Sequence, residues 1–210
     1  SSISVFNRNK SELDLVFAAH GERSSRIKND KLLNHDVFQQ AIAHNGARLP
    51  SQVVYYERDL IKRTRQLWAR QWKTALRKPS VSSYLPEYVR NSIHIPYVGQ
   101  RETSTEHHLS HAAAGYYTSP YKDAAVIVID SIGEWKTLTV WHGVGTKLKK
   151  VYSQSYPHSI GLWYSAMTQR VGLKPNEEEY ILMGWAALGD PKRLHKEIYD
   201  DFFYPVKDGS

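Results

Sequence analysis

The 210-residue chain carries 28 Lys and Arg against 21 Asp and Glu, a formal charge of +7 and a pI near 9.4, and it has no cysteine. Length and an even spread of apolar residues suit one sizeable folded core. The lack of thiols excludes disulfides, zinc fingers and iron–sulfur clusters, so a bound metal must be held by His and carboxylate, which suits Fe, Zn or Mn.

The positive charge suits an anionic partner such as a phosphorylated substrate, a nucleotide or a nucleic acid, and a solvated basic surface accounts for it equally well. No apolar run approaches the roughly 20 residues that span a bilayer, and no charged-then-apolar leader opens the chain. No membrane partner and a cytoplasmic location are therefore expected. The chain begins at Ser1 without Met, which is expected of a piece of a longer protein.

Alternating apolar residues around Asn7-Arg8-Asn9-Lys10 predict a β-hairpin from Ser1–Phe6 and Leu13–Ala18. A basic polar loop from His20 to Lys31 follows, where cations at a strand end can grip phosphate or simply be solvated. A short helix is expected over Val37–Ala43 and a strand over Gln52–Tyr56. Residues Asp59 to Lys78 predict a long amphipathic helix. Its stripe of Leu60, Ile61, Thr64, Leu67, Trp68, Trp72, Ala75 and Leu76 reads as core packing. The opposite face is basic, and the tryptophans beside it keep nucleic-acid contact open. Pro79 to Pro96 reads as loop.

Helical spacing over Glu106–Gly115 puts His107 and His111 one turn apart on one face. The run Ala124–Ile129 reads as a buried strand that delivers Asp130 at its end. Two imidazoles and a carboxylate can therefore meet as a three-ligand metal site with positions left for a substrate. A zinc-protease helix places a Glu next to the first His of such a pair as general base, but that position here is His108, so protease chemistry is not expected. After a turn at Ser131–Trp135, strands are expected over Lys136–His142 and Leu148–Ser155. Helices follow over Leu162–Val171, with Ser159 or Gly161 at the cap, over Glu177–Leu188, and over Pro191–Phe203 with Asp190 as N-cap. No nucleophile elbow or P-loop is present. The sequence shows no repeat and no internal domain boundary.

Several stretches together resemble the N-terminal part of the NodU/CmcH carbamoyltransferases. They are Glu22-Arg23-x-Ser25-Arg26-x-Lys28, Glu106-His107-His108-x-x-His111 with Ala112 to Tyr121, and Val128-Ile129-Asp130-x-x-Gly133-Glu134-Trp135. Tyr156 to Tyr164 and Glu179 to Pro191 resemble that family's later segments in order, so the likeness covers nearly the whole chain. It implies the N-terminal portion of an actin/sugar-kinase-like (ASKHA, RNase H-like) α/β domain over residues 1–210, similar to the protein that makes threonylcarbamoyladenosine in tRNA. It also implies an activity. Carbamoyl phosphate and ATP give carbamoyl-adenylate in a separate C-terminal domain, and the carbamoyl group then passes to an acceptor hydroxyl at a metal centre.

On that resemblance His107, His111 and Asp130 match metal ligands, with iron the implied metal and a fourth carboxylate expected beyond Ser210. Lys28, Ser131, Gly133 and Glu134 fall on the nucleotide and carbamoyl-adenylate side; no catalytic residue is assigned. The half-domain that closes the nucleotide cleft and the adenylate-forming domain are not in this sequence and are expected in cis or in trans. The family's opening strand is absent, Ile181 stands where Lys is common, and Trp185 where Leu is common. The chain is therefore expected to be inactive alone. The other reading is a non-catalytic metal- or nucleotide-binding module that acts with a partner chain, with nucleic acid as a possible target; the acceptor hydroxyl is unspecified.

Overall fold

Alternation of apolar and polar side chains folds β1 (Ser2–Asn9) antiparallel onto β2 (Glu12–His20), so the expected hairpin forms with longer strands. The computed structural model describes residues 2–9, 12–27, 35–48, 50–76 and 101–203. They divide into two compact units, Ser1–Glu106 and His107–Ser210. No change in composition marks that division in the sequence, because it falls at the first residue of the histidine-rich helix.

In the first unit, β2 runs into a short helix, α1 (Gly21–Ser25), where a loop was expected. Arg26, at φ 58°, ends that helix with its N–H on the Glu22 carbonyl at 2.9 Å. Helix α2 (His35–His44) lays Val37 and Phe38 on Ile3, Phe17 and Ala19 of the hairpin, forming a small core. Strand β3 (Gln52–Tyr55) pairs in parallel with β4 (Arg101–Ser104), a long-range pairing that no local pattern announces.

The stretch expected as one helix over 59–78 is broken into α3 (Asp59–Trp68) and α4 (Trp72–Ala75). Arg70 takes φ 59° and the Gln71 N–H bonds back to the Gln66 carbonyl at 2.8 Å, a left-handed cap that closes α3. One left-handed residue ends the regular rotation of side chains, so the apolar stripe does not continue across it. Leu60, Trp68, Trp72 and Leu76 are exposed, whereas Ala75 and Arg65 are buried. The loop expected over Pro79–Pro96 lies outside the described residues.

The second unit is an antiparallel meander with helices on it. Helix α5 (His107–Tyr117) precedes strands β5 (Asp123–Gly133), β6 (Lys136–Val144) and β7 (Lys147–Ser155), in sheet order β5-β6-β7. Helix α6 (Ile160–Arg170) also packs on β5, and α7 (Glu179–Ala186) and α8 (His195–Phe202) follow. Ala112 of α5 meets Val128 and Trp141 of the sheet in the core, with Leu109, Val126 and Leu148 around them. Ser159 is the N-cap of α6, its hydroxyl accepting the Leu162 N–H at 3.0 Å. Helix α8 begins at His195 and not at Pro191, because the Asp190 carboxylate accepts the Lys192 N–H at 2.9 Å and closes a separate turn first. Both units mix sheet and helix, which makes the chain an α/β protein. Among the described residues no helix is long and apolar enough to cross a membrane.

Candidate metal centre

Two periodicities build the site. Along α5 the four-residue repeat places His108, Ala112 and Tyr116 against the sheet, and all three are buried. The row beginning one residue earlier, His107, His111 and Gly115, therefore lies at the side of the helix. His111 and Gly115 line a small cleft of about 270 Å³ with Val126 to Asp130 of β5. Along β5 the two-residue repeat puts Val126, Val128 and Asp130 on the helix-facing side, so the strand carries a carboxylate to the place where the imidazoles emerge.

The strand is interrupted there. Ile129 pairs with Leu138 and Gly133 with Lys136, so Asp130, Ser131 and Ile132 stand opposite Thr137 alone. Such a bulge bends the strand and re-aims side chains. Asp130 Oδ1 accepts the Ser131 N–H at 2.7 Å, which leaves Oδ2 facing His107 Nε2 at 3.1 Å. His107 Nε2 lies 3.0 Å from His111 Nε2. The three candidate ligand atoms all fall within 4.8 Å of one another.

This donor set fits a divalent cation. His107 Nε2 touches both His111 Nε2 and an Asp130 oxygen, so three atoms able to ligate a cation are gathered there, and two-His, one-carboxylate sets with open positions suit non-haem iron. Cis ligands each about 2.1 Å from one ion sit about 3.0 Å apart, which is the spacing His107 makes with both of its neighbours. The Asp130 carboxyl is held below the usual carboxylate range, chiefly by the hydrogen bond from His107 and against the opposing effect of burial. It is therefore ionised, as a ligand must be.

The histidine helix is fixed from beneath. His108 is fully buried, with Nδ1 3.0 Å from Thr139 Oγ1, and Trp141 Nε1 donates to the same hydroxyl at 2.8 Å. The Thr139 hydroxyl is thus shared between the Trp141 indole, which donates to it, and the His108 imidazole. Burial pushes the His108 pKa down, while the Asp130 charge pulls it up by less. His108 thus anchors the helix and lies outside the group of residues that could hold a metal.

Of the residues expected on the nucleotide side, Lys28 lies outside the described residues. Ser131 packs its backbone against α6: a Cβ on Gly161 would lie 2.7 Å from Ser131 Cα, and the Ser159 hydroxyl donates to the Ser131 carbonyl at 2.7 Å. Gly133 lies under the His107 and His108 rings, and Glu134 is buried. Sequence reasoning missed Thr139 and the contact of Ser159 and Gly161 with the bulge. The signal available for the latter was the Ser-Ile-Gly stretch ahead of a helix, which was read only as a cap.

The carbamoyltransferase N-terminus family model matches residues 9–208. An uncharacterized protein of Synechocystis is 33% identical over 195 residues, covering 85% of this chain and 32% of that protein. An uncharacterized protein of Methanocaldococcus jannaschii is 35% identical over 110 residues, 45% of this chain and 18% of that protein. Nodulation protein NolNO of Sinorhizobium fredii is 24% identical over 207 residues, 93% of this chain and 29% of that protein. The chain spans a third or less of the length of these curated relatives. A family match over nearly its whole length, consistent with the actin/sugar-kinase-like α/β reading, shows that the chain belongs to the carbamoyltransferase N-terminus family.

Proposed function

We propose that this chain supplies the carbamoyl-transfer centre of an ATP-dependent O-carbamoyltransferase. Family membership supports carbamoyl transfer as the reaction type. The observation that carries the finer reading is the convergence of His107 Nε2, His111 Nε2 and an oxygen of Asp130 within 4.8 Å, beside an open cleft.

In this reading carbamoyl phosphate, ATP and water are consumed elsewhere in the full protein to give carbamoyl-adenylate, phosphate and pyrophosphate. At the present centre the acceptor hydroxyl oxygen bonds to the carbamoyl carbon and gives up its proton to solvent, the bond from that carbon to the adenylate oxygen breaks, and AMP leaves. A divalent ion, iron by family resemblance and zinc or manganese by donor chemistry, supplies Lewis-acid stabilisation of the negative charge that grows on oxygen. His107, His111 and Asp130 hold that ion, and the Ser131 amide fixes the carboxylate that faces it. The apolar run Val126–Ile129 lines one side of the cleft. Lys28, by the family resemblance, contributes charge for the adenylate phosphate.

The test uses the full protein with ATP, ¹⁴C-carbamoyl phosphate and a panel of polyhydroxylated acceptors. His107→Ala or Asp130→Ala is expected to retain carbamoyl-phosphate-dependent release of pyrophosphate and to lose label transfer to the acceptor. Transfer at the wild-type rate in both variants refutes the assignment.

A further inference from the structure

The segment after Asp130 is built against the first histidine. A Cβ at Gly133 would lie 2.4 Å from His107 Cδ2, 2.6 Å from its Cγ and 2.9 Å from His108 Cδ2, so the imidazoles occupy the space that any other residue would fill. The next residue, Glu134, is 3% exposed and takes φ 58°. Its Oε1 accepts the backbone N–H of His107 at 3.3 Å.

Each of these features is unfavourable taken alone. A left-handed backbone favours glycine, so an acid there carries a local cost. Burying a carboxylate is unfavourable unless it meets donors. The start of α5 answers the second requirement, because its first amide groups have no partner within the helix and the helix dipole favours negative charge there. His107 is therefore fixed by one short segment at two points: its backbone by Glu134 and its ring by the gap at Gly133. Asp130 belongs to the same segment, held by the Ser131 amide. The bulge and turn set both groups relative to each other across two elements that are distant in sequence.

We propose that Glu134 and Gly133 are positioning residues for His107, holding its imidazole at the Asp130 carboxylate. This role differs from contact with a nucleotide, which the family resemblance implied for these positions. It rests on the reading of His107 as a metal ligand, and the experiment separates the two.

The chain is titrated with Co²⁺, followed by calorimetry and by visible absorption, in the wild type and in Glu134→Gln, Glu134→Gly, Gly133→Ala and His107→Ala. Glu134→Gly removes the carboxylate while giving the backbone the residue that its φ prefers, and circular dichroism checks that each variant folds. Expected is one Co²⁺ bound by the wild type and lost in His107→Ala, wild-type affinity in Glu134→Gln, and affinity about 10–100-fold weaker in Glu134→Gly and Gly133→Ala. Wild-type affinity and an unchanged spectrum in Glu134→Gly overturn the positioning role. If the wild type binds no Co²⁺, the metal reading fails by itself. Positioning is then read by NMR, from the contact between the His107 ring proton and the residue 133 Hα. That contact is expected in the wild type and Glu134→Gln and lost in Glu134→Gly; its persistence in Glu134→Gly overturns the proposal.

Discussion

Thr139→Val removes one hydroxyl and nearly preserves the shape of the side chain. Thr139 is fully buried, and its Oγ1 serves both Trp141 Nε1, at 2.8 Å, and His108 Nδ1, at 3.0 Å. The substitution strands two buried polar atoms. At about 1–3 kcal/mol for each group left without its partner, the unfolding free energy should fall by about 2–6 kcal/mol. Thr139→Ser keeps the hydroxyl and loses one methyl, so a loss of only about 1 kcal/mol is expected. Urea denaturation of the metal-free chain reads both variants against the wild type. The same cluster predicts a pH dependence. Burial depresses the folded pKa of His108, so the unfolded chain binds the proton more readily. The contribution from neutral His108 is then complete above the ordinary histidine value near pH 6.5 and is lost as pH falls from there toward the lower folded value. Thr139→Val within about 0.5 kcal/mol of wild type would refute the reasoning, since surface-like tolerance is incompatible with a shared buried hydroxyl.

Three further outcomes follow from the structure. The folded Asp130 carboxyl titrates below its ordinary value, first because His107 hydrogen bonds to it, so its contribution is present above about pH 4 and lost as pH falls through the folded value; Asp130→Asn should flatten that acid limb in pH-dependent denaturation, and an unchanged limb would count against the pairing. Gly161→Ala places a Cβ 2.7 Å from Ser131 Cα and 2.8 Å from Ser131 N, backbone atoms that cannot turn aside, and should cost about 1–3 kcal/mol. Gly184→Ala in α7, whose Cβ meets nothing within 4 Å, should be neutral or stabilising by up to about 1 kcal/mol, which makes it the control in the same denaturation series.

How much of this was legible in the sequence depended on whether the cause was local. The continuous apolar run over Ala124–Ile129 and the four-residue spacing of His107 and His111 are local patterns, and both the strand and the helix formed where those patterns put them, although the strand expected to be buried covers only one face and leaves Ile127 and Ile129 exposed. The Ser159 cap was readable for the same reason. The break at Arg70 was not, because the helical stripe from Asp59 onward has no glycine or proline to announce a left-handed residue. The parallel pairing of β3 with β4 joins segments far apart in sequence, and only the folded chain reveals it.

The site shows the same division. Spacing located His107, His111 and Asp130. It did not reveal that Gly133 leaves room for an imidazole, since a glycine after a strand is read by default as a turn or as an approach to phosphate. Nor did it reveal Thr139, a β-strand threonine whose importance comes from the buried histidine across from it. Glu134 was noticed for its place in a family-like segment, while its contact is with the first amide of the histidine helix.

The central claim is that His107, His111 and Asp130 hold one divalent cation. Anaerobic Fe²⁺ loading followed by desalting and elemental analysis, repeated with Zn²⁺ and Mn²⁺, tests it most directly. The account predicts one retained ion per wild-type chain and none in the His107→Ala, His111→Ala, Asp130→Ala triple variant, with the circular dichroism spectrum preserved. Equal metal content in the wild type and the folded triple variant would contradict it.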